Sequence, residues 1–269
     1  MGEERNLRLL TTGRELINLG KRSDEISKKP IVLADPLFSI TDNFEEILIT
    51  EKHSKQLRSK DIGIKDWKRL PWSADEGKYV ANIIDAELLM NKEATSIALQ
   101  EKISPKIVHI ASHAEYLESK KSTLRENPLL RSYIVLAGAN EPNNNPEDDG
   151  YLTALEITQL DWDGTEMVVV SACESGKGDI RSGEGLYGLK RAIAVSGARS
   201  SLLSLWKVDD KASSEFMKKF YENLSKGMGR GNALKATQEF FRKHPNKDYR
   251  SIYVWAAFQL SGDWRAIDL

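Results

Sequence analysis

The chain has 269 residues, near the size at which single hydrophobic cores stop growing, which predicts one large domain with at most a small appendage. Its 39 Lys plus Arg against 40 Asp plus Glu leave a net charge of −1, so no long-range field gathers nucleic acid or anionic lipid, and direct binding to either is not expected. With 29% charged and 40% apolar residues the composition is that of an ordinary folding chain; no signal-peptide or membrane-spanning run is seen, which predicts a cytoplasmic protein.

In chain order, Met1–Lys29 is charged, has helical spacing at Leu9, Leu10, Leu16, Ile17 and Leu19, and is expected to be a helical appendage or linker (1–29) before the main domain (30–269). Pro30 opens Ile31-Val32-Leu33-Ala34-Asp35-Pro36, a run typical of a strand buried on both faces. Ser73-Ala74-Asp75-Glu76 fits a capping box, and Val80, Ile83, Ile84, Glu87 and Leu88 at helical spacing predict a helix over Ser73–Met90. Another helix is predicted over Thr95–Lys102. Buried strands are predicted at Lys106–Ala111, Ser132–Ala137, Glu166–Ser171 and Ser200–Trp206, and helices at Gly185–Ser196, Lys211–Leu224 and Asn232–His244. Asn140–Gly150 has no large apolar residue and is expected to be an exposed loop open to rearrangement; Tyr253–Leu260 is an apolar segment expected to pack on the sheet. Strands separated by helices predict an α/β fold, with a mostly parallel central sheet and helices on both faces.

Two predicted strand ends carry reactive groups. His109-Ile110-Ala111-Ser112-His113 leaves one strand, and Ser171-Ala172-Cys173-Glu174-Ser175-Gly176 leaves another. The carboxyl edge of an open α/β sheet is where loops converge on a crevice, so His113 and Cys173 are expected to meet there. Cys173 is the only cysteine, which excludes an internal disulfide and any multi-cysteine zinc site. A thiol is mostly protonated at neutral pH and needs a base to become a nucleophile, and His113 is the candidate. The small residues after Cys173 let a substrate backbone approach, with the Cys173 N–H aimed at the oxyanion. Of the other histidines, His109 is expected to be buried and hydrogen-bonded, and His53 and His244 solvated.

Gly183-Glu184-Gly185-Leu186-Tyr187-Gly188 matches the dinucleotide fingerprint G-x-G-x-x-G, with Asp209 beyond it. The pattern stands apart from the end of its strand, so tight helix packing is the competing reading.

Taken together, Val168–Cys173 with Glu174-Ser175-Gly176, Gly183–Leu189, Ser196-Gly197-Ala198-Arg199 and Ser204–Asp210 resemble the CHAT family, relatives of caspases and separase. Phe220–Leu224, Ala233-Leu234 and Trp255–Phe258 continue the likeness, as do Ala34-Asp35-Pro36, Ala94-Thr95 and His109–His113 upstream. The resemblance covers roughly Pro30 to the C-terminus. It implies a caspase-like three-layer sandwich and a cysteine endopeptidase with His113 as base and Cys173 as nucleophile, needing no metal or cofactor. In that clan the residue after the histidine, usually glycine, supplies a second oxyanion N–H; here it is Ala114. Leu205–Asp210 resembles the separase stretch that puts a carboxylate in the specificity pocket. That implies Asp210, or Asp209, pairing with a basic P1 side chain of a protein substrate, while either residue also fits a helix N-cap. Family members commonly follow tetratricopeptide repeats and are switched on by a partner in prokaryotic defence or regulation, which implies a regulatory protein partner or a repeat region. Two other readings stand beside the peptidase: a non-catalytic CHAT interaction module, and a nucleotide-binding α/β protein.

Overall fold

Ile31–Pro36 forms strand β1, with all six residues buried, as a continuous apolar run in the middle of a sheet requires. The computed structural model describes residues 8–10, 13, 19–20, 28–39, 66–116, 128–142, 144–145, 147–172 and 183–269. β1 runs parallel between β2 (Glu87–Asn91) and β3 (Ile107–Tyr116). β3 is parallel to β6 (Met167–Ala172), which is parallel to β7 (Ser200–Ser204); β8 (Phe258–Gly262) closes the order β2-β1-β3-β6-β7-β8 antiparallel to β7. The short strands β4 (Ser132–Val135) and β5 (Tyr151–Thr153) branch off from β3.

Helices cover both faces. On one, α1 (Pro71–Ile83), α5 (Asp210–Ser225) and α6 (Arg230–Arg242) bury Val80, Phe216 and Phe220 against Val32, Ile107 and Val169. On the other, α2 (Ser96–Gln100), α3 (Ala154–Ile157) and α4 (Gly183–Val195) bury Leu99, Ile157 and Ile193 against Ile31, Ile110 and Val168. The result is the expected three-layer α/β sandwich with a mostly parallel sheet. A short helix, α7 (Ile252–Trp255), precedes β8.

Four sequence expectations need correction. The helix expected over Ser73–Met90 starts at Pro71, whose missing N–H is harmless at that position, and ends at Ile83. Asp85 turns left-handed (φ 47°), and Glu87–Asn91 then pairs with β1, so the helical spacing of Glu87 and Leu88 was accidental. The expected capping box does not form: the N-cap is Leu70, the Ser73 hydroxyl donates to the Leu70 carbonyl at 2.7 Å, and Glu76 turns into the core. Tyr253–Leu260 divides into α7 and the start of β8 rather than packing as one apolar segment. The Asn140–Gly150 loop is not simply exposed, because Asp148 is buried and accepts from Ser96 N (2.9 Å), Ser96 Oγ (2.8 Å) and Ile97 N (3.2 Å), capping α2.

Gly77 is where α1 comes closest to the sheet: a Cβ there would lie 2.3 Å from Ala34 Cβ. Gly77→Ala is expected to lower stability by about 1–3 kcal/mol despite alanine's better helix propensity, because helix and strand must part. Thermal unfolding followed by circular dichroism checks this; a variant as stable as the native protein would contradict it.

Candidate active site

β3 changes partners at one residue. Ile107–Ser112 pairs in parallel with β6, whereas His113–Tyr116 pairs antiparallel with β4, His113 lying opposite Val135. The Ser112 hydroxyl donates to the Val135 carbonyl at this junction. His113 therefore stands where the sheet forks, and it is 2% exposed. Its ring lies between Phe38 (centroids 5.3 Å apart) and Trp67 (5.1 Å), each tilted against it. Its Nε2 is 2.7 Å from the Lys68 carbonyl oxygen. A carbonyl only accepts, so Nε2 carries a proton, and the tautomer with that proton has its lone pair on Nδ1.

The β3–β6 register pairs Ser112 with Ala172, the last residue of β6. Cys173 is the next residue in sequence and lies outside the described residues, as does His53. Ala114 follows His113 in β3, opposite Ile134, and is half-buried.

The two aspartates have separate roles. Asp209 is exposed and is the N-cap of α5, its Oδ1 accepting from Ala212 N at 3.0 Å. Asp210 is half-buried and reaches across to α1, where its Oδ2 accepts from Trp72 N at 2.9 Å. Burial pushes its carboxyl up to about 6; the Trp72 N–H works against this, while Glu76, Asp209 and Asp35 add to the rise.

His109 is fully buried, as expected, with Nδ1 3.1 Å from Tyr221 Oη and Nε2 2.9 Å from Glu76 Oε1. His244, expected to be solvated, is instead half-buried, stacking on Phe241 and packing against Tyr249, because α6 ends in an aromatic cluster. Among the described residues no group of three or more His, Cys, Asp or Glu could hold a metal ion, and no helix is long and apolar enough to cross a membrane.

Compared with known families, residues 1–263 match the CHAT domain. The chain belongs to the CHAT domain family. It is also similar to Tetratricopeptide repeat protein 28 of Mus musculus, 25% identical over 220 residues that cover 73% of this chain and 9% of that protein. The Homo sapiens protein of the same name is 24% identical over 220 residues, covering 73% of this chain and 8% of that protein. The chain thus spans less than a tenth of the length of these relatives.

In this CHAT domain the glycine pattern 183–188 lies within α4 from its first residue, well past the end of β6 at Ala172. A dinucleotide turn would join strand and helix directly, and Asp209 is occupied as a cap, so the pattern lacks the setting of that turn. The aromatic walls of His113 and the carbonyl that orients it escaped the sequence reading. Phe38 and Trp67 are far from His113 in sequence, and a carbonyl has no side-chain signature; the one clue was the clustering of two tryptophans around Pro71 in Trp67–Trp72.

Proposed function

We propose that this CHAT domain is a cysteine endopeptidase in which His113 activates Cys173, with Asp210 receiving a basic P1 side chain. The observation that carries the reading is the strand register. Ser112 and Ala172 are paired neighbours, and the next residue of one segment is His113 and of the other Cys173. His113 shares the parity of Ile107 and Ala111, whose side chains face the α1 and α5 layer. His113 is prepared as a base by the Lys68 carbonyl, which holds the proton on Nε2 and leaves the Nδ1 lone pair to take a thiol proton.

In the first step Nδ1 takes the proton from Cys173 Sγ, and the sulfur adds to the scissile carbonyl. The N–H groups of Cys173 and Ala114 are the oxyanion donors of this mechanism. Collapse breaks the C–N bond as His113 returns the proton to the leaving amine, and water then hydrolyses the thioester. A half-buried carboxylate that Glu76, Asp209 and Asp35 lie near enough to raise suits a guanidinium or ammonium group. The repeat proteins named among the relatives support a tetratricopeptide-repeat region as the regulatory partner. Cleavage of matched peptides differing only in Arg, Lys or Asp at P1 tests the reading. Arg or Lys should be preferred, with no cleavage by Cys173→Ala; preference for Asp would overturn the pocket assignment.

The same carboxylate predicts a pH effect. Its folded value of about 6 lies above the ordinary 3.8, so its contribution to stability is greatest below about pH 4 and is lost as pH rises through 6. Asp210→Asn keeps an acceptor for Trp72 N–H and removes the charge. It should melt higher than the native protein at pH 8 and equally at pH 4, while losing the preference for basic P1 residues. Equal melting at pH 8 would contradict the assignment.

A further inference from the structure

The segment 66–70 that orients His113 has no helix or strand of its own, so its backbone groups must find partners elsewhere. One residue meets that need. Asn140 Oδ1 accepts from Trp67 N at 2.8 Å, and Asn140 Nδ2 donates to Trp67 O at 3.2 Å, so a single side-chain amide binds both backbone groups of Trp67. Its Nδ2 also donates to Ser39 Oγ at 3.0 Å, and its own N–H donates to Phe38 O at 3.0 Å. The two residues that Asn140 holds, Phe38 and Trp67, are the two whose rings enclose His113. The residue after Trp67 is Lys68, whose carbonyl accepts from Nε2.

Further bonds hold the same segment. Trp67 Nε1 donates to Tyr151 Oη at 3.0 Å, and that hydroxyl donates to Ala139 O at 3.0 Å. On the far side Arg69 pairs with Asp35 through Nε (2.8 Å) and Nη2 (2.6 Å). Those contacts hold Trp67 at its indole and the segment at its end, whereas Asn140 bridges Phe38 and the Trp67 backbone.

We propose that Asn140 is a positioning residue for His113, acting through Trp67 and Lys68 to fix the ring's tautomer and its direction. This rests on His113 being the base of the proposed peptidase. Asn140→Ala removes both bonds to Trp67. Asn140→Asp, of the same shape, keeps the acceptor but sets a second anionic oxygen against the Trp67 carbonyl.

The test reads the tautomer and the kinetics separately. In protein labelled with ¹⁵N-histidine, the native His113 ring should show the Nε2–H form at pH 8, and both Asn140 variants a mixture of tautomers. With an arginine-P1 peptide, kcat should fall about 10–100-fold in both variants while KM holds. Asp263→Asn, which disturbs the opposite edge of the sheet, should keep the native tautomer and kcat. Retention of the Nε2–H form and of kcat in both Asn140 variants overturns the inference. If the native protein cleaves no peptide, the peptidase reading fails by itself, and the tautomer measurement still decides the role of Asn140.

Discussion

His113→Ala is expected to lower kcat/KM for an arginine-P1 peptide by about 10²–10⁴-fold, the usual contribution of a positioned general base. Cys173→Ala should abolish turnover. A thiol with a pKa of about 8.5 is largely protonated at neutral pH, so attack depends on a base that removes its proton in place. The ring available is buried, packed against Phe38 and Trp67, and oriented by the Lys68 carbonyl, which fixes the direction of its Nδ1. Because His113 acts only through the sulfur, its loss should add nothing once Cys173 is gone. Steady-state kinetics of the two single variants and the double variant measure this. Undiminished turnover by His113→Ala would show that another group serves as base.

Arg230→Ala is expected to have the largest effect on folding, about 3–5 kcal/mol, because it breaks a buried ionic network. Arg230 is 1% exposed, at the start of α6. Its Nε donates to Arg265 O at 2.9 Å, its Nη1 bonds Ser200 Oγ at 3.1 Å and the Glu166 carbonyl, and its Nη2 is 3.3 Å from Asp263 Oδ2. This one guanidinium joins α6 to β7 and to the segment after β8, closing the antiparallel edge of the sheet. Removing it strands several buried acceptors, and for a chain of this size Tm should fall by about 6–20 °C. Asp263 adds a pH signature. Burial raises its carboxyl, but hydrogen bonds from Arg265 and the charge of Arg230 outweigh this and bring it down to about 2. A depressed carboxyl stabilises above its ordinary value of 3.8, and that stability is lost as pH falls toward 2. Asp263→Asn should therefore flatten the acid limb of the stability curve. An Arg230→Ala protein that melts with the native one would refute the network's importance.

The sheet was legible where both faces are covered. Ile31–Ala34 and Met167–Val170 are buried throughout, and burial on both faces writes an unbroken apolar run. It was illegible at the margins. β2 is an edge strand, half-exposed, and its residues continued the spacing of α1; β5 is three residues long. β3 was seen only to Ala111, because beyond it the strand leaves the covered sheet for β4 and its residues become polar. That departure is what presents His113.

The site divides in the same way. His113 and Cys173 could be picked from sequence because their chemistry lies in residue type and in position after an apolar run. The Lys68 carbonyl, the rings of Phe38 and Trp67 and the amide of Asn140 depend on which distant segments touch, and no local pattern encodes that. From sequence Asp210 came before Asp209 for the pocket and either fitted a cap; the fold makes Asp209 the cap of α5 and carries the Asp210 carboxylate across to α1.

The central claim is that His113 activates Cys173, and covalent capture tests it most directly. A peptidyl-arginine chloromethylketone should add one inhibitor mass to the native protein, at Cys173 by peptide mapping. The reaction should fail in Cys173→Ala and slow sharply in His113→Ala. No adduct on the native protein, or equal rates with and without His113, would contradict the account.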